Sequence, residues 1–378
     1  MDFSITEEQS MLQDSVAKFI ENDYDFESRQ RNAESADGFS REFWQSFGEL
    51  GWTAVPFEEA DGGLDGGAAE SMLIMEQFGR GLVIEPYLAS IVLAGGVLKH
   101  LATGAQKERW LTGLVDGSSI GALAFTEPQS RFRLHDVVVE ARKSGDDYIL
   151  NGDKAVVLDG GSADFLVVSA RTAGARKDKQ GISLFIVDST AAGISYRSYP
   201  TVDSMRAAEI EFNDVHIPAD QLLGDEGDGL ETLQTVIDEA TLAVCAEALG
   251  ILEMLNHKTL EYTKNRVQFG SPIAGFQALQ HRMVDMFMTY EQTKSLLLWA
   301  VMTQDSADAR ARQAAISAIK YQIGTAGRKL GQEAVQLHGG MGVTWELDVA
   351  HYFKRLTTID TLFGNASFHL DRFTKLSD

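Results

Sequence analysis

The stretch from Asp238 to Gln280 constrains the fold more than any other: an apolar, helix-forming run leads into Arg266-Val267-Gln268-Phe269-Gly270-Ser271-Pro272-Ile273 and then Phe276-Gln277-Ala278-Leu279-Gln280. Within it Ala243, Ala246, Gly250, Met254 and His257 recur at helical spacing among Leu and Val. One face therefore stays apolar for several turns, and such a helix belongs in a packed bundle. Phe269-Gly270 is expected to stop the helix, with Gly270 as its C-terminal cap and Pro272 opening a new turn. Arg266, just before that break, stands on a firm element where its planar fork suits a phosphate or a carboxylate.

A chain of 378 residues exceeds the size at which a single core keeps growing, so several structural layers are expected. Residues 1–120 read as helical. Thr6-Glu7-Glu8-Gln9 opens a helix with acidic residues in its first turn, and Met11, Leu12, Val16, Phe19 and Ile20 form its apolar stripe. Asp61-Gly62-Gly63-Leu64-Asp65-Gly66-Gly67 could be a phosphate-cradling loop or a plain connection. Helical periodicity resumes over Ala69–Gly79 and Ile91–Leu101. Over 121–226 the pattern changes to short strands, at Val137–Val139, Tyr148–Leu150, Phe165–Val168, Ser183–Val187 and Glu209–Phe212, with Gly, Asp and Asn turns between them. That spacing predicts a separate antiparallel β domain, a sandwich or barrel. Residues 227–378 read as helical again.

The net charge of −22 argues against a nucleic-acid partner and against anionic membranes, though a few local arginines can still hold phosphates on an acidic protein. No apolar run is long enough to span a bilayer, and Met1-Asp2-Phe3-Ser4 lacks the basic start and apolar stretch of a signal peptide, so a cytoplasmic location without membrane insertion is expected. The single cysteine, Cys245, lies between Val244 and Ala246 and is expected to be a buried small hydrophobe. His281 and His338 lack ligand-spaced partners, so no metal site is expected.

Arg266-x-x-Phe269-Gly270 followed by Ile273 and Phe276-Gln277 resembles the carboxy-terminal FAD signature of the acyl-CoA dehydrogenase family, and Gln336-Leu337-His338-Gly339-Gly340-Met341-Gly342 resembles its second. The passage Met205–Pro218, ending in Leu222-Leu223-Gly224, is similar to the family's last β strands. The resemblance implies an α+β multi-domain fold with an N-terminal helical domain, a middle β-sandwich or barrel, and a C-terminal four-helix bundle. It implies an FAD-dependent oxidoreductase of fatty acid metabolism that removes the α proton and β hydride of an acyl-CoA thioester, with electron-transfer flavoprotein or a similar acceptor downstream. It also implies that Arg266, Phe269, Ile273, Phe276 and Gln277, with Gln336, Gly339 and Gly340, hold the adenosine and pyrophosphate of an FAD whose flavin sits in a neighbouring subunit.

Other elements of the family pattern are altered. Phe125-Thr126-Glu127-Pro128 matches the Thr-Glu-Pro strand, which makes Thr126 a flavin contact, but Arg131-Phe132 stand where Gly-Ser should follow. Asn151-Gly152-Asp153-Lys154 fits, yet Val156-Val157-Leu158-Asp159-Gly160 replaces the Trp-Ile-Thr-Asn-Gly that covers the flavin. The family's usual base lies in Tyr-Glu-Gly-Thr; the corresponding passage Thr361–Ser367 contains no carboxylate, and Ala240 occupies the alternative base position. Glu247 falls two turns further along the same face as Ala240, Ala243, Val244 and Ile251, which makes it either a relocated catalytic base or a buried carboxylate paired with an Arg or His. Asp238 and Glu239 are expected in an exposed first helical turn.

An intact adenosine-pyrophosphate half beside an eroded flavin half is expected of one subunit in a hetero-oligomer. Tyr24–Glu27, Asp238–Gly250, Phe276–Arg282, His351–Thr357 and Asp360–Gly364 resemble the small-subunit branch typified by pimeloyl-CoA dehydrogenase. The implied partners are an acyl-CoA substrate and a homologous large subunit; a self-sufficient homo-oligomer and a scaffold that binds no flavin are the alternatives.

Overall fold

A computed structural model describes residues 5–377; Met1-Asp2-Phe3-Ser4, on which the targeting expectation rests, lies outside the described residues. In chain order the first helices are α1 (Glu7–Asp23), α2 (Phe26–Ala33), α3 (Arg41–Glu49), α4 (Ala68–Gly81), α5 (Gly96–Leu101), α6 (Gly104–Gln106) and α7 (Thr112–Val115). Eight strands follow: β1 (Gly121–Ala124), β2 (Glu140–Ser144), β3 (Asp147–Leu158), β4 (Phe165–Arg171), β5 (Ile182–Asp188), β6 (Ile194–Pro200), β7 (Arg206–Ile217) and β8 (Leu222–Leu223). Then come α8 (Gly229–Asn265), the hairpin β9 (Val267–Gln268) and β10 (Ser271–Pro272), α9 (Gln277–Met302), α10 (Ala309–His338), α11 (Val349–Thr361) and α12 (Ala366–Ser377). The chain divides into two compact units: one gathers the described residues up to Gln30, Ala68–Val83 and Thr241 onward, the other Arg31–Gly67 and Ile84–Ala240.

In the second unit the strands form a sheet of order β6-β7-β3-β2-β4-β5-β8, with β1 beside β4. Pairings are antiparallel except β1 with β4 and β2 with β4. Val137–Val139, expected as a strand, lie outside the sheet; their backbone instead meets Arg176 O and the Arg171 amide. All of β4 is buried, so it reads as a continuous apolar run rather than an alternation. A π-helical segment, Leu88–Gly95, packs on β1, where the Ser90 hydroxyl donates to Gly121 O at 3.0 Å. Trp110 packs on Phe165 with ring centroids 5.2 Å apart. The glycine-rich passage 61–67 is a tight connection: a Cβ at Gly63 would meet Phe57 O at 2.1 Å.

In the first unit Thr6 and Gln9 close a reciprocal capping box at the start of α1, as their spacing predicts. The helix α8 begins at Gly229, so Asp238 is buried well inside it rather than in an exposed first turn. It ends at Asn265, ahead of Gly270, which belongs to the hairpin turn and is not its cap. Cys245 is buried, as expected. Helices α4 and α8 touch backbone to backbone: a Cβ at Gly79 would lie 1.9 Å from Glu247 O, and one at Gly250 1.9 Å from Glu76 O. Gly79→Ala is therefore expected to destabilise by about 1–3 kcal/mol despite alanine's better helix propensity. Urea unfolding checks this, and an unchanged or raised midpoint would refute the close packing.

At the other end of the bundle the α11–α12 turn is tied to α10. The buried Lys320 ammonium donates to Asp360 O at 3.1 Å and Gly364 O at 2.6 Å, and burial pushes it down to about 8. His369 approaches Phe363 O through Nε2 at 3.2 Å and the Ser317 hydroxyl through Nδ1 at 3.4 Å. Burial, then the nearby Lys320 and Arg372, push His369 down to about 3 from 6.5. The unfolded chain thus takes up this proton first, so the stability His369 contributes is complete above about pH 6.5 and is lost as pH falls towards 3. His369→Gln is expected to flatten that acid limb by on the order of 4 kcal/mol. Chemical unfolding at several pH values reads it, and an unchanged limb would contradict it.

Candidate functional site

Two groups of residues carry the cofactor expectations, one in each unit. In the sheet unit, β1 runs into Phe125-Thr126-Glu127-Pro128. Thr126 is half-buried, its carbonyl accepts the Ala155 amide at 2.9 Å, and its hydroxyl has no partner among the described residues. Glu127 is 2% exposed and accepts from Lys154 Nζ at 2.7 Å, Gln129 Nε2 at 2.7 Å and the Val138 and Val139 amides at 2.7 and 3.2 Å. Lys154 Nζ also reaches Ser169 Oγ at 3.0 Å. Burial alone would raise the Glu127 carboxyl, but Lys154 and the surrounding donors outweigh it and hold the group below the usual carboxylate range. Burial pushes the Lys154 ammonium down to about 8, against the opposing pull of Glu127. Sequence reasoning missed this pair, although a lysine inside an apolar strand signals a buried partner.

The altered loops on either side are backbone-strained. Arg131 (φ 49°), Val156 (φ 52°) and Asp159 (φ 51°) all occupy the left-handed region, which is most unusual for a β-branched residue. At Val156 the β3–β7 register slips between Lys154 and Val157, and the Val156 side chain is turned outward. Such positions persist only where their surroundings impose them.

In the helical unit the expected phosphate-side residues fall in two places, the β9–β10 hairpin with the start of α9, and the end of α10. The Arg266 amide still bonds Tyr262 O at 2.8 Å, and Arg266 O accepts the Ile273 amide at 2.9 Å, which closes the base of the β9–β10 hairpin. Phe269 (φ 54°) and Gly270 (φ 82°) make its turn, both left-handed as a tight two-residue hairpin requires. The Phe269 ring is 92% exposed and stands edge-on to Phe276, centroids 6.1 Å apart. Arg266 has no ion-pair partner among the described residues, and Gln277 sits exposed at the start of α9, while Ile273 is half-buried. Gln336, Gly339 and Gly340 are exposed at the end of α10, and a Cβ on either glycine would meet nothing within 4 Å. An unpaired guanidinium, an exposed aromatic pair and open glycine backbone fit an anionic, ring-bearing group such as the adenosine-pyrophosphate end of FAD. His338 is buried, Nδ1 bonded to Ala334 O at 2.8 Å and its ring stacked on Tyr262, a packing role.

Glu247 is 3% exposed and held by a buried arginine that sequence reasoning did not single out. Arg355 Nε meets Oε1 at 2.5 Å and an Nη meets Oε2 at 2.8 Å. Both carboxylate oxygens are engaged in this fork, the paired alternative of the two weighed for it. In the passage 361–367 the turn is formed by Phe363 (φ 59°) and Gly364 (φ 120°), with Phe363 half-buried. Among the described residues there is no cluster of side chains suited to a metal ion, and no helix long and apolar enough to cross a membrane.

Family models described as acyl-CoA dehydrogenase N-terminal, middle and C-terminal domains match residues 6–118, 122–215 and 227–375. A short-chain-specific acyl-CoA dehydrogenase of Megasphaera elsdenii is 32% identical over 326 residues, 84% of each chain. The structure of butyryl-CoA dehydrogenase from the same organism superposes with TM-score 0.92 at 28% identity, covering 99% of both chains. The ChsE4–ChsE5 complex of Mycobacterium tuberculosis gives TM-score 0.89 at 25% identity over 99% of this chain and 98% of the other.

Proposed function

The chain belongs to the acyl-CoA dehydrogenase family of oxidoreductases, and from that premise we propose that it is the small subunit of a heteromeric, FAD-dependent enzyme for the α,β-dehydrogenation of an acyl-CoA thioester. On this reading its motifs resemble those of the small subunit of pimeloyl-CoA dehydrogenase. Its role is to complete the FAD site of a homologous large subunit that carries the base. Residues 1–120, 121–226 and 227–378 are its proposed domains.

One contrast supports the reading above all. On the phosphate side Arg266 is unpaired among the described residues and Phe269 is exposed, while two buried carboxylates, one in each unit, are committed to cations, Glu247 to Arg355 and Glu127 to Lys154. Both oxygens of Glu247 are bonded to the Arg355 guanidinium, a pair that would have to break before either oxygen could turn to a substrate. Glu247 is on this reading a structural residue, and the turn at Phe363 supplies no substitute.

When bound, FAD supplies the two-electron acceptor for the hydride. This chain's residues bind and orient its far end: Arg266 gives the pyrophosphate a charge-assisted fork, Gln277 and Gln336 offer amide donors, Phe269, Ile273 and Phe276 give the adenosine an apolar wall, and Gly339-Gly340 let backbone come close. Thr126, on the other unit, keeps a hydroxyl available to a flavin edge.

Arg266→Ala, made in the coexpressed heteromeric complex, is expected to weaken FAD retention roughly ten- to a hundred-fold, the loss of a hydrogen bond to a charged group. Flavin absorbance after extensive dialysis reads the effect. Unchanged flavin content would remove Arg266 from the site.

A further inference from the structure

The chain that leaves Gly339-Gly340 is tied down at a single carbonyl. After the short turn Gly339–Val343, Trp345 O accepts from side chains of two different helices, Gln30 Nε2 of α2 at 3.1 Å and His351 Nε2 of α11 at 3.1 Å. The same imidazole stands edge-on to two rings, Phe26 with centroids 5.0 Å apart and Trp345 with centroids 4.6 Å apart. Lys354, one turn beyond His351, places Nζ over the Trp345 ring, 4.3 Å from its centroid. Trp345 is therefore 54% exposed and yet held on several sides. At its other end the turn lies close against α10, where a Cβ at Gly342 would meet Val335 O at 2.6 Å.

A carbonyl only accepts, so His351 Nε2 carries the ring hydrogen and Nδ1 is left as an acceptor. That nitrogen is buried without a hydrogen-bond partner among the described residues, in a side chain whose residue is 1% exposed. Such a ring fits its place only while neutral. A proton on Nδ1 would add a donor with nothing to receive it, and a charge inside an aromatic enclosure. The charged groups around it give little relief. Arg29, one turn on from Phe26 in α2, is 2% exposed with Nε bonded to Leu82 O, and Lys354 brings a second cation. Asp348, whose carbonyl accepts the His351 amide at 2.9 Å, has its carboxylate already paired with Lys258 of α8 at 2.7 Å. Burial, then Arg29 and Lys354, accordingly hold the ring below its ordinary 6.5.

Resting on the proposed phosphate-side role of Gly339 and Gly340, we infer that His351 is a positioning residue: its neutral ring, with Gln30, latches Trp345 and so holds the Gly339–Val343 turn in shape for the cofactor, and protonation of the ring releases it. The released ring takes up a proton more readily than the latched one. The latch is therefore whole above about pH 6.5 and is lost as pH falls below that value.

The test compares the parent with His351→Gln, whose amide can donate to Trp345 O but cannot take up a proton, and with His351→Phe, which keeps a ring and loses the donor. Deuterium uptake by the amides of residues 340–346 is read on the full chain alone, at about pH 7.5 and about pH 5.5, with proteins compared only at equal pH. Parent and Gln variant are expected to match at the higher pH, and at the lower the parent should exchange about ten-fold faster; the Phe variant should exchange about ten-fold faster than the parent at the higher pH. Flavin retained by the coexpressed complex, measured at the same two values, should fall in the parent on acidification and stay level in the Gln variant. Equal uptake in parent and Gln variant at both values, or a Phe variant no faster than the parent at the higher one, would overturn the assignment. If the Phe variant does not fold, the Gln comparison decides alone. Uptake that responds while flavin retention does not would overturn the cofactor role, and would place the fault in the phosphate-side reading rather than in the latch.

Discussion

Replacing Lys154 by Met is expected to cost about 3–5 kcal/mol, because the substitution leaves the Glu127 carboxylate buried and charged without its cation. The pair is fully enclosed, with side-chain exposures of 0% and 1%, so solvent cannot take the place of the missing ammonium. Glu127 would keep its bonds to Gln129 Nε2 and the Val138 and Val139 amides, which limits the loss but does not neutralise the charge. Its carboxyl should then rise from below the usual range to above it, and the variant should recover part of its stability as pH falls through that value. The sign is opposite to that of the parent, in which a depressed carboxyl contributes stability that is lost as pH falls. Denaturant unfolding at neutral and mildly acidic pH reads both effects; a variant as stable as the parent at neutral pH would show that the pair contributes nothing.

A comparable loss, again about 3–5 kcal/mol, is expected for Arg355→Met, which strands Glu247 in the helical unit. Here the stronger statement concerns the double variant. With Glu247→Leu added, no buried charge is left, and stability should return to within about 1–2 kcal/mol of the parent, since a buried ion pair replaced by apolar groups of similar volume is often neutral or better. Recovery of stability together with undiminished activity of the coexpressed complex would place Glu247 outside the chemistry. Loss of activity with stability restored would return it as a catalytic candidate.

The α/β/α order of the chain was legible because hydrophobic period is a local property: Tyr148–Leu150, Phe165–Val168, Ser183–Val187 and Glu209–Phe212 all fall in strands. Val137–Val139 misled for the same reason, since three valines carry β propensity wherever they stand, and here they form the loop that leads into β2, its carbonyls bonded to Arg171. The end of α8 was misplaced because glycine serves a hairpin turn as well as a helix cap, and Phe269, not glycine alone, shares the left-handed turn. Phosphate-side residues could be named because they are contiguous in sequence. The partners of the buried carboxylates could not: Lys154 lies 27 residues from Glu127, and Arg355 lies 108 from Glu247. Only folding brings those pairs together.

The central claim is that this chain holds the far half of a partner's cofactor and not a flavin of its own. The direct measurement is the flavin-to-protein ratio from absorbance, for the chain purified alone after incubation with excess FAD and removal of what stays unbound, and for the chain coexpressed with its large subunit. The account predicts a ratio near zero alone and about half a flavin per chain in the complex, one cofactor for each pair of unlike subunits. A ratio near one for the chain alone would contradict it, and would mean that the strained Val156-Val157-Leu158 loop supports the flavin ring after all.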